Sequence, residues 1–345
     1  MKTYIITMKP LSGFATPLKG DTLFGQLCWQ AVYDPGLFGA SIDDLLSDYL
    51  TDPFVVVSSA YLKKRSDGEN EYALKRPDLP AEKFMELKRE NKKEFLRQRK
   101  LLKSAKWILV GAGKRMESLR DLGLLGSPEL FDVLAGPPAG SAMEKATRRR
   151  TKAVVADFAQ PHNTINRLTN TTGEGGFAPY SVEQHAYFPG AELAIFVGAH
   201  KKIDIEQIAA GFRRMGELGF GKDASTGLGR FEVGGIQEID LAALGSKNPD
   251  ACYTLGPCVP PAHAFSSMYF TPFTRFGRHG DVLAKSSNPF KNPVIMADEG
   301  AVFVAATGAA FDKPYIGSAV RGVSKAIPGA VTQGYSLYIP VRMED

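Results

Sequence analysis

The order of apolar segments along the chain limits the folds that it can adopt. Residues 3–8 alternate between apolar and polar side chains, a pattern typical of a half-buried strand. Asp21 precedes apolar residues at helical spacing, and Asp204 precedes a second such set. The predicted order is a strand at 3–8, a helix at 21–32, a strand at 53–62, a long insertion, a strand at 184–197 with an interruption at Pro189-Gly190, a helix at 204–215 and a strand at 230–233.

This alternation of strands and helices is that of a βαββαβ, ferredoxin-like (RRM-like) domain. A basic insertion, at about 63–155, separates its second and third strands. Extended apolar runs return near the C-terminus, at 268–270, 301–305 and 335–339. A chain of 345 residues has the length of about two domains. We therefore predict an α+β protein of tandem ferredoxin-like domains, the first at 1–245 and the second, a degenerate copy, at 246–345.

The insertion is rich in basic side chains. Between Lys83 and Lys106 the bases outnumber the acids, and the apolar positions form only a thin stripe. This pattern favours an exposed helix or a mobile arm over a core element. A second basic cluster, at 148–152, follows a Gly- and Pro-rich break at 136–141. The formal net charge of +5 is compatible with a polyanionic partner but does not require one.

Composition excludes several classes of protein. Cys28, Cys252 and Cys258 are too few and too irregularly spaced for a disulfide framework or a zinc site, so no metal or cofactor is expected. The first residues lack the features of a secretion signal. No apolar run approaches the about 18 residues that would span a bilayer. We therefore expect a cytoplasmic protein without membrane contact.

A glycine-rich loop spans Gly219 to Gly229. Closely spaced glycines let a backbone approach a ligand and point several N–H groups at it. Lys222, Ser225 and Thr226 add donors, so the loop suits a sugar–phosphate backbone. It does not fit a nucleotide-binding P-loop, because Asp223 follows the lysine and because the loop leads from a helix to a strand. A tight structural connection that merely needs glycine remains the alternative.

Two further segments carry side chains suited to RNA. Residues 161–172 are dense in Asn and Thr around Arg167 and contain no acid. Arg can clamp a phosphate or stack on a base, whereas Asn and Thr suit base edges and the 2′-hydroxyl. Arg275 and Phe276 combine phosphate contact with stacking, and Phe220 is another candidate for stacking. Ordinary solvated turns are the alternative interpretation of both segments.

Several motifs resemble one protein family. Residues 19–29, KGDTLFGQLCW, are similar to the opening of subunit four of the type III-A CRISPR Csm complex, and residues 162–169, HNTINRLT, are similar to its central polar motif. Residues 219–229 resemble the glycine loop of the wider RAMP superfamily. Gln333-Gly334-Tyr335 resembles the end of the family's sequences. The similarities extend over nearly the whole chain.

The resemblance implies tandem ferredoxin-like domains and an RNA-binding subunit that is not itself the nuclease. Such a subunit would hold the repeat-derived 5′ tag of the crRNA and would contact the large polymerase-like subunit and the first backbone RAMP subunit. The basic insertion would correspond to a protruding, thumb-like element. With Arg275 and Phe276 included, the candidate RNA-binding residues are Lys19, Gly20, Asp21, Thr22, His162, Asn163, Asn166, Arg167, Thr169, Gly219, Phe220, Gly221, Lys222, Ser225, Thr226, Gly227, Gly229, Arg275 and Phe276.

Two other functions stay open. A metal-independent RAMP endoribonuclease that processes CRISPR precursor RNA would share the fold and the glycine loop. His162 would then act as general base toward a 2′-hydroxyl, and Lys222 would stabilise the charged intermediate. Such enzymes tend to place a histidine in or near the first helix, and this chain has none before His162. The third possibility is a scaffold whose basic segments bind only proteins.

Overall fold

The structure is a computed structural model that describes residues 1–66, 69–84, 92–120, 122–136, 152–261, 264–306 and 311–343. The α-helices of these residues are α1 (Gly20–Tyr33), α2 (Ile42–Ser47), α3 (Ala81–Phe84), α4 (Lys92–Ser104), α5 (Ser127–Ala135) and α6 (Ile205–Leu218). Their strands are β1 (Lys2–Pro10), β2 (Val55–Ser66), β3 (Glu69–Lys75), β4 (Ala105–Gly111), β5 (Leu125–Gly126), β6 (Val155–His162), β7 (Tyr180–Tyr187), β8 (Glu192–Ala199), β9 (Phe231–Glu238), β10 (Ala251–Thr254), β11 (Phe265–Tyr269), β12 (Pro272–Arg275), β13 (Val294–Ala297), β14 (Val302–Ala305), β15 (Tyr315–Gly317) and β16 (Tyr335–Val341). Within the described ranges, we find no helix with the length and apolar composition that a bilayer crossing requires.

A seven-stranded sheet, in the order β5-β4-β3-β2-β8-β1-β9, forms the first half of the protein. Its neighbours β2-β8-β1-β9 pair antiparallel, α1 connects β1 to β2, and α6 connects β8 to β9. This is βαββαβ connectivity, so the order of elements predicted for the first unit is confirmed. Leu27 of α1 and Phe212 of α6 are buried in the same apolar core as Ile6 of β1.

Local sequence fixes where α6 begins and ends, and its end sets the position of the glycine-rich loop. The Asp204 side chain accepts the Glu206 N–H (3.1 Å), and the Gln207 side chain accepts the Asp204 N–H (2.9 Å), which together form a capping box. The helix stops at Gly219, whose φ of 98° suits a residue without a side chain. The loop therefore starts directly at the C-terminus of a helix that is packed on the sheet.

Part of the basic insertion belongs to the sheet. Strands β3, β4 and β5 extend β2 outward, and Tyr72, Leu74 and Val110 are buried. These strands lie almost entirely outside the stretch at 83–106 for which an exposed helix or a mobile arm was expected, and their apolar side chains form a continuous extension of the core. The expected exposed helix is confirmed for α4, in which Leu102 is the buried residue. The cluster at 148–150 and the basic residues at 88–89 lie outside the described residues.

The third predicted strand, 184–197, is two separate strands. Strand β7 ends at Tyr187 and β8 begins at Glu192, with Gly190 in the turn at a φ of 81°. Strand β8 enters the seven-stranded sheet, whereas β7 pairs with β6 in a separate two-stranded hairpin. The Pro-Gly pair therefore ends one strand rather than interrupting it.

A five-stranded sheet, in the order β11-β14-β10-β16-β15, forms the second half. Its strands β11-β14-β10-β16 repeat the antiparallel order β2-β8-β1-β9 of the first sheet. In residues 246–261, 264–306 and 311–343, however, loops and a 3-10 helix at Asp281–Lys285 connect the strands, and α-helices do not. A second complete βαββαβ unit is therefore not confirmed. Pro257, Pro260 and Pro261 follow β10, where the first crossover helix would lie, and they disfavour a helix there.

The two sheets share one apolar core. Leu255 and Leu337 of the second half belong to the same buried cluster as the strands of the first. Gln333 pairs with the backbone of Val57 in β2, donating to its carbonyl (2.7 Å) and accepting its N–H (2.9 Å). The Tyr61 hydroxyl donates to the Leu255 carbonyl (2.9 Å). These bonds fix one sheet against the other, while the boundary at 245/246 stays a prediction.

Candidate nucleic-acid interface

The glycine-rich loop, residues 219–229, is clamped by a side chain of α1. Gln26 donates through Nε2 to the Gly219 carbonyl (3.2 Å) and accepts the Gly221 N–H at Oε1 (3.1 Å). One amide side chain therefore satisfies a donor and an acceptor of the loop and fixes it to the first helix.

The loop is also bonded to the segment that connects β1 to α1, residues 12–16. The Lys222 N–H donates to Thr16 Oγ1 (2.9 Å), and the Gly229 N–H donates to the Gly13 carbonyl (2.8 Å). A backbone donor that already has a protein acceptor is not free for a phosphate. The predicted cradle of free backbone amides is therefore wrong for these positions, and the loop is a tightly held connection.

The loop presents several exposed polar side chains. Lys222, Ser225 and Thr226 are exposed, and 64% of the Lys222 side chain is accessible. Phe220 points the other way and is 1% exposed, so the expectation that it stacks on a base is wrong. Gly229 has a φ of 72°, and a Cβ there would lie 2.2 Å from the Phe220 carbonyl oxygen, so close packing explains the glycine.

The hairpin of β6 and β7 starts beside the glycine-rich loop. The N–H and carbonyl of Phe14 exchange hydrogen bonds with those of His185 in β7, both at 2.9 Å. His185 Nδ1 lies 2.6 Å from Asp157 Oδ1 on the opposite strand. Because Phe14 belongs to the segment that holds the glycine-rich loop, the loop and the base of the hairpin share one support.

The hairpin protrudes, and its tip contains the predicted polar segment. Strand β6 is exposed along most of its length. At the tip, the Asn166 N–H donates to the Thr171 carbonyl (3.0 Å) and the Leu168 N–H donates to Asn166 Oδ1 (2.9 Å). This tight turn exposes Arg167, and Leu168 is 95% exposed. The predicted residues Asn163 and Thr169 are also exposed, and His162 and Asn166 are partly buried.

The two predicted segments lie along one route and do not form one pocket. Tyr180, which pairs with His162, is five residues from His185 along β7. Five strand residues span about 17 Å. About this length therefore separates His185, near the glycine-rich loop, from the end of the paired hairpin strands, and the turn with Arg167 lies beyond it.

Comparison with solved structures identifies the fold. Over 100% of both chains, the protein matches a chain of a "Csm1-Csm4 cassette in complex with pppApA" with a TM-score of 0.55 and 15% identity. A "Csm1-Csm4 cassette in complex with cA4" matches over 99% of both chains with a TM-score of 0.53 and 14% identity. A "Csm3-Csm4 subcomplex in the type III-A CRISPR-Cas interference complex" matches over 99% of both chains with a TM-score of 0.54 and 13% identity. The matched chain is Csm4. This protein has the Csm4 fold.

The resemblance to subunit four of the Csm complex is thereby confirmed over the whole chain, whereas the tandem ferredoxin-like arrangement that it implies is not. No family of related sequences matches this chain. No curated protein matches it either. At 13–15% identity, the similarity to Csm4 concerns the fold. Among the described residues, the element that protrudes from this Csm4 fold is the β6–β7 hairpin, not the strands of the basic insertion, which lie in the sheet.

Residues 19–22, the start of the opening motif, make contacts within the protein. Lys19 forms ion pairs with Asp298 and, at 2.9 Å, with Glu299 in the turn before β14. A Cβ on Gly20 would lie 2.3 Å from the Val57 carbonyl oxygen, so glycine is required by close packing. Thr22 Oγ1 donates to the Lys19 carbonyl (2.7 Å).

Asp21 and Arg275 form a buried ion pair between the two halves of the fold. The Arg275 guanidinium donates through Nε and Nη2 to the two carboxylate oxygens, at 2.6 and 3.0 Å. The Asp21 side chain is 2% exposed and that of Arg275 is 22% exposed. The Phe273 ring lies 5.0 Å from both Arg275 Cζ and Lys19 Nζ, where its π face attracts both cations. This geometry gives Lys19, Asp21 and Arg275 internal partners, which the prediction of RNA contact did not foresee.

The turn at 298–299 places two adjacent, largely buried acids beside the Lys19 ammonium. Burial alone would raise the pKa of Asp298, but its hydrogen bond with Glu299 and the Lys19 ammonium lower it to about 2. Burial raises the pKa of Glu299, opposed by Lys19 and reinforced by the adjacent Asp298. Burial lowers the pKa of Lys19, but the Glu299 and Asp298 carboxylates raise it by more, so that it lies above its ordinary value. The cluster therefore holds a cation between two acids at the junction of the sheets.

Of the remaining predicted residues, Phe276 is freely available. It is 75% exposed and directly follows Arg275, so the two neighbours point in opposite directions. Arg278 is held against the Phe290 ring, 5.6 Å from its centre, and donates to the Ala284 carbonyl (2.9 Å). Phe276 therefore keeps the exposure that base stacking requires.

The two side chains assigned to nuclease chemistry are not brought together. His162 stacks on Tyr180, with ring centres 5.2 Å apart, at the far end of the hairpin strands. Lys222 is fixed by its backbone at Thr16, near the hairpin base. In the described part of the chain, no group of three His, Cys, Asp or Glu side chains is arranged to hold a metal ion.

Sequence reasoning missed the residues that position the interface. Gln26 lies inside the opening motif at 19–29, Thr16 accepts the Lys222 N–H, and the Ser12 hydroxyl accepts the Arg230 N–H (2.9 Å). A bond between positions about two hundred residues apart has no local signal in the sequence. The exposed rings of Phe158 and Tyr180 on the hairpin were also missed. Their alternation with polar residues in a strand was the available signal.

Proposed function

We propose that this protein is a Csm4-type subunit of a type III CRISPR effector complex. In this proposal it binds RNA without cleaving it, holds the 5′ repeat-derived tag of the crRNA and joins the large subunit to the backbone in antiviral defence. The observation that carries the proposal is the Csm4 fold over the whole length of the chain, together with the motif resemblance in the sequence. The same two lines of support favour tandem RAMP units, with a second unit that has lost its crossover helices.

The proposed RNA contact uses exposed side chains along one path. Lys222, Ser225 and Thr226 mark one end, and Arg167 at the hairpin tip marks the other. Cations neutralise phosphates, hydroxyl groups contact the ribose 2′-hydroxyl, and the exposed ring of Tyr180 offers a stacking surface. The path suits an extended single strand such as a crRNA tag, because an unpaired strand leaves its phosphates, ribose hydroxyls and base faces accessible to these side chains.

The basic helix α4 adds a second source of attraction for a polyanion. Its exposed cations are Lys92, Lys93, Arg97, Arg99, Lys100 and Lys103, and its acid is Glu94. The helix thus has a net charge of +5, equal to that of the entire chain. Helix α4 leads into β4, which is separated from β1 by three strands. We infer that it contacts phosphates at a distance from the glycine-rich loop.

The proposed protein partners follow from the structural neighbours. Csm4 is paired with Csm1 in one set of matching structures and with Csm3 in another. By analogy, we propose a large polymerase-like subunit and a backbone RAMP subunit as partners of this chain.

Copurification with RNA tests this function. The tagged protein is coexpressed with the large and backbone subunits of its own type III locus and a CRISPR array, and the bound RNA is sequenced. We expect RNAs with a uniform repeat-derived 5′ end. Arg167→Ala should weaken binding of a tag oligonucleotide by about tenfold, because a phosphate loses a charge-assisted contact. The matched control is Lys201→Ala, which removes one exposed cation from the turn before α6.

A cleavage assay separates the binding subunit from the processing nuclease. The purified chain is incubated with repeat RNA in the presence of a chelator. We expect intact RNA for the wild type and for His162→Ala. Cleavage by the wild type that disappears in His162→Ala would overturn the non-catalytic proposal, and copurification of unrelated RNA without the partner subunits would overturn the assignment to the complex.

A further inference from the structure

A largely apolar cleft opens beside α1, on a flank that the proposed RNA path does not use. Its volume is about 530 Å³, within the range of sites that enclose a ligand or an anchoring side chain. Cys28, Trp29 and Val32 of α1 form one wall, and Leu283 and Lys291 belong to the opposite wall. The cleft thus lies between the first helix and the irregular connection from β12 to β13.

The rim of the cleft continues the apolar surface outward. Val32 and Val282 are exposed by 48% and 73%, and Trp29 stacks on Tyr33 with ring centres 5.9 Å apart. Contiguous exposed apolar side chains around a concave apolar floor are typical of protein interaction sites. Asp43 is the exposed acid at the mouth.

Lys291 supplies one cation inside this apolar environment. Burial lowers its pKa, opposed by the neighbouring Cys28 and Asp21. The Asp21 carboxylate is already occupied by both nitrogens of Arg275. Among the ion pairs of the described residues, none includes Lys291. His279, also in the cleft wall, bonds to Ser324 Oγ through Nε2 (2.7 Å) and therefore has its own partner.

We propose that this cleft is the docking site for a segment of a neighbouring subunit that inserts an apolar side chain beside Cys28 and Trp29 and places a carboxylate on Lys291. A half-buried ammonium without a counter-ion gains more from an incoming acid than an exposed one, because its hydration is already reduced. The apolar lining supplies the remaining complementarity. This inference rests on the proposed function for the existence of neighbouring subunits, and it adds the position and chemistry of one contact.

Anilinonaphthalene sulfonate is a suitable probe, because it joins an apolar ring system to one anionic group and fluoresces in apolar sites. We expect the isolated protein to bind it at one site. Lys291→Met should weaken this binding by about tenfold, through loss of a charged partner. Lys285→Met removes an exposed cation from the same connection and is the matched control, with unchanged binding expected. Lys291→Met should unfold in urea at the same or a higher concentration than the wild type, since it removes an unpaired cation from an apolar site.

Assembly then tests the occupant. In the complex with RNA, large subunit and backbone subunit, we expect the probe to be displaced and Lys291→Glu to weaken retention of one subunit. A complex that assembles normally and leaves probe binding unchanged would overturn this inference while the proposed function stands. If the fraction of chains that bind the probe decreases as the concentration of the isolated protein is raised, a second copy of the chain covers the cleft. That result would also overturn this inference. Failure to assemble at all would count against the proposed function instead.

Discussion

Replacing Arg275 by alanine separates its ion pair with Asp21 from the RNA contact that the sequence predicts. The change leaves the Asp21 carboxylate, 2% exposed, without either of its bonds to the guanidinium. Removing one partner of a buried ion pair costs about 3–5 kcal/mol of unfolding free energy. Because the Arg275 side chain is 22% exposed and water can reach its site, we expect the lower end, about 3 kcal/mol.

The assay is urea unfolding followed by circular dichroism, in a double-mutant cycle with Asp21→Asn. Asn removes the buried charge, so the loss from Arg275→Ala should be smaller by about 1–2 kcal/mol in the Asp21→Asn background. The RNA affinity of the folded Arg275→Ala variant should stay within about twofold of the wild type, which corresponds to about 0.4 kcal/mol of binding free energy. A stability loss under about 1 kcal/mol with no coupling would refute this reasoning. A tenfold loss of RNA affinity without loss of stability would restore the RNA-contact interpretation.

Three further outcomes follow from the same geometry. Gly229→Ala should lower stability by at least about 1 kcal/mol more than Gly227→Ala in urea unfolding, because both have positive φ but the Cβ at 229 alone meets backbone, and equal losses would contradict the packing argument. The lowered pKa of Asp298 gives stability that is present above pH 3.8 and is lost as pH falls towards about 2, so Asp298→Asn should flatten this acid limb of the unfolding profile, and an unchanged limb would contradict the assignment. Replacing the six cations of α4 by glutamine should reduce the slope of log affinity against log salt for single-stranded RNA by up to about 4, and an unchanged slope would exclude α4 from phosphate contact.

The order of elements in the first half was predictable, because its apolar residues recur at the spacing of a strand or of a helix. The capping box at Asp204 and the buried run in β8 are local features that a sequence displays directly. The second half was less predictable. Its strand order repeats the first, yet prolines after β10 replace a helix by a loop, so no helical period marks the repeat.

The candidate site was found by residue type, but its geometry was not. The sequence places glycines at 219–229, and only the structure shows that Gln26 and the connection at 12–16 accept the N–H groups of Gly221, Lys222 and Gly229. Likewise, Lys19 and Arg275 looked like phosphate ligands because their acidic partners are more than two hundred residues away in sequence. Long-range pairing of charges is set by the tertiary fold and has no sequence period.

Photocrosslinking of the crRNA tag tests the central proposal most directly. A crRNA with thiouridine at successive positions of its 5′ tag is assembled with this chain and its partner subunits, irradiated and analysed by mass spectrometry. We expect crosslinks from the tag to this chain at the hairpin tip, 163–179, and at 222–226 of the glycine-rich loop. Tag crosslinks confined to the other subunits, with this chain joined only to the spacer or to no RNA, would contradict it.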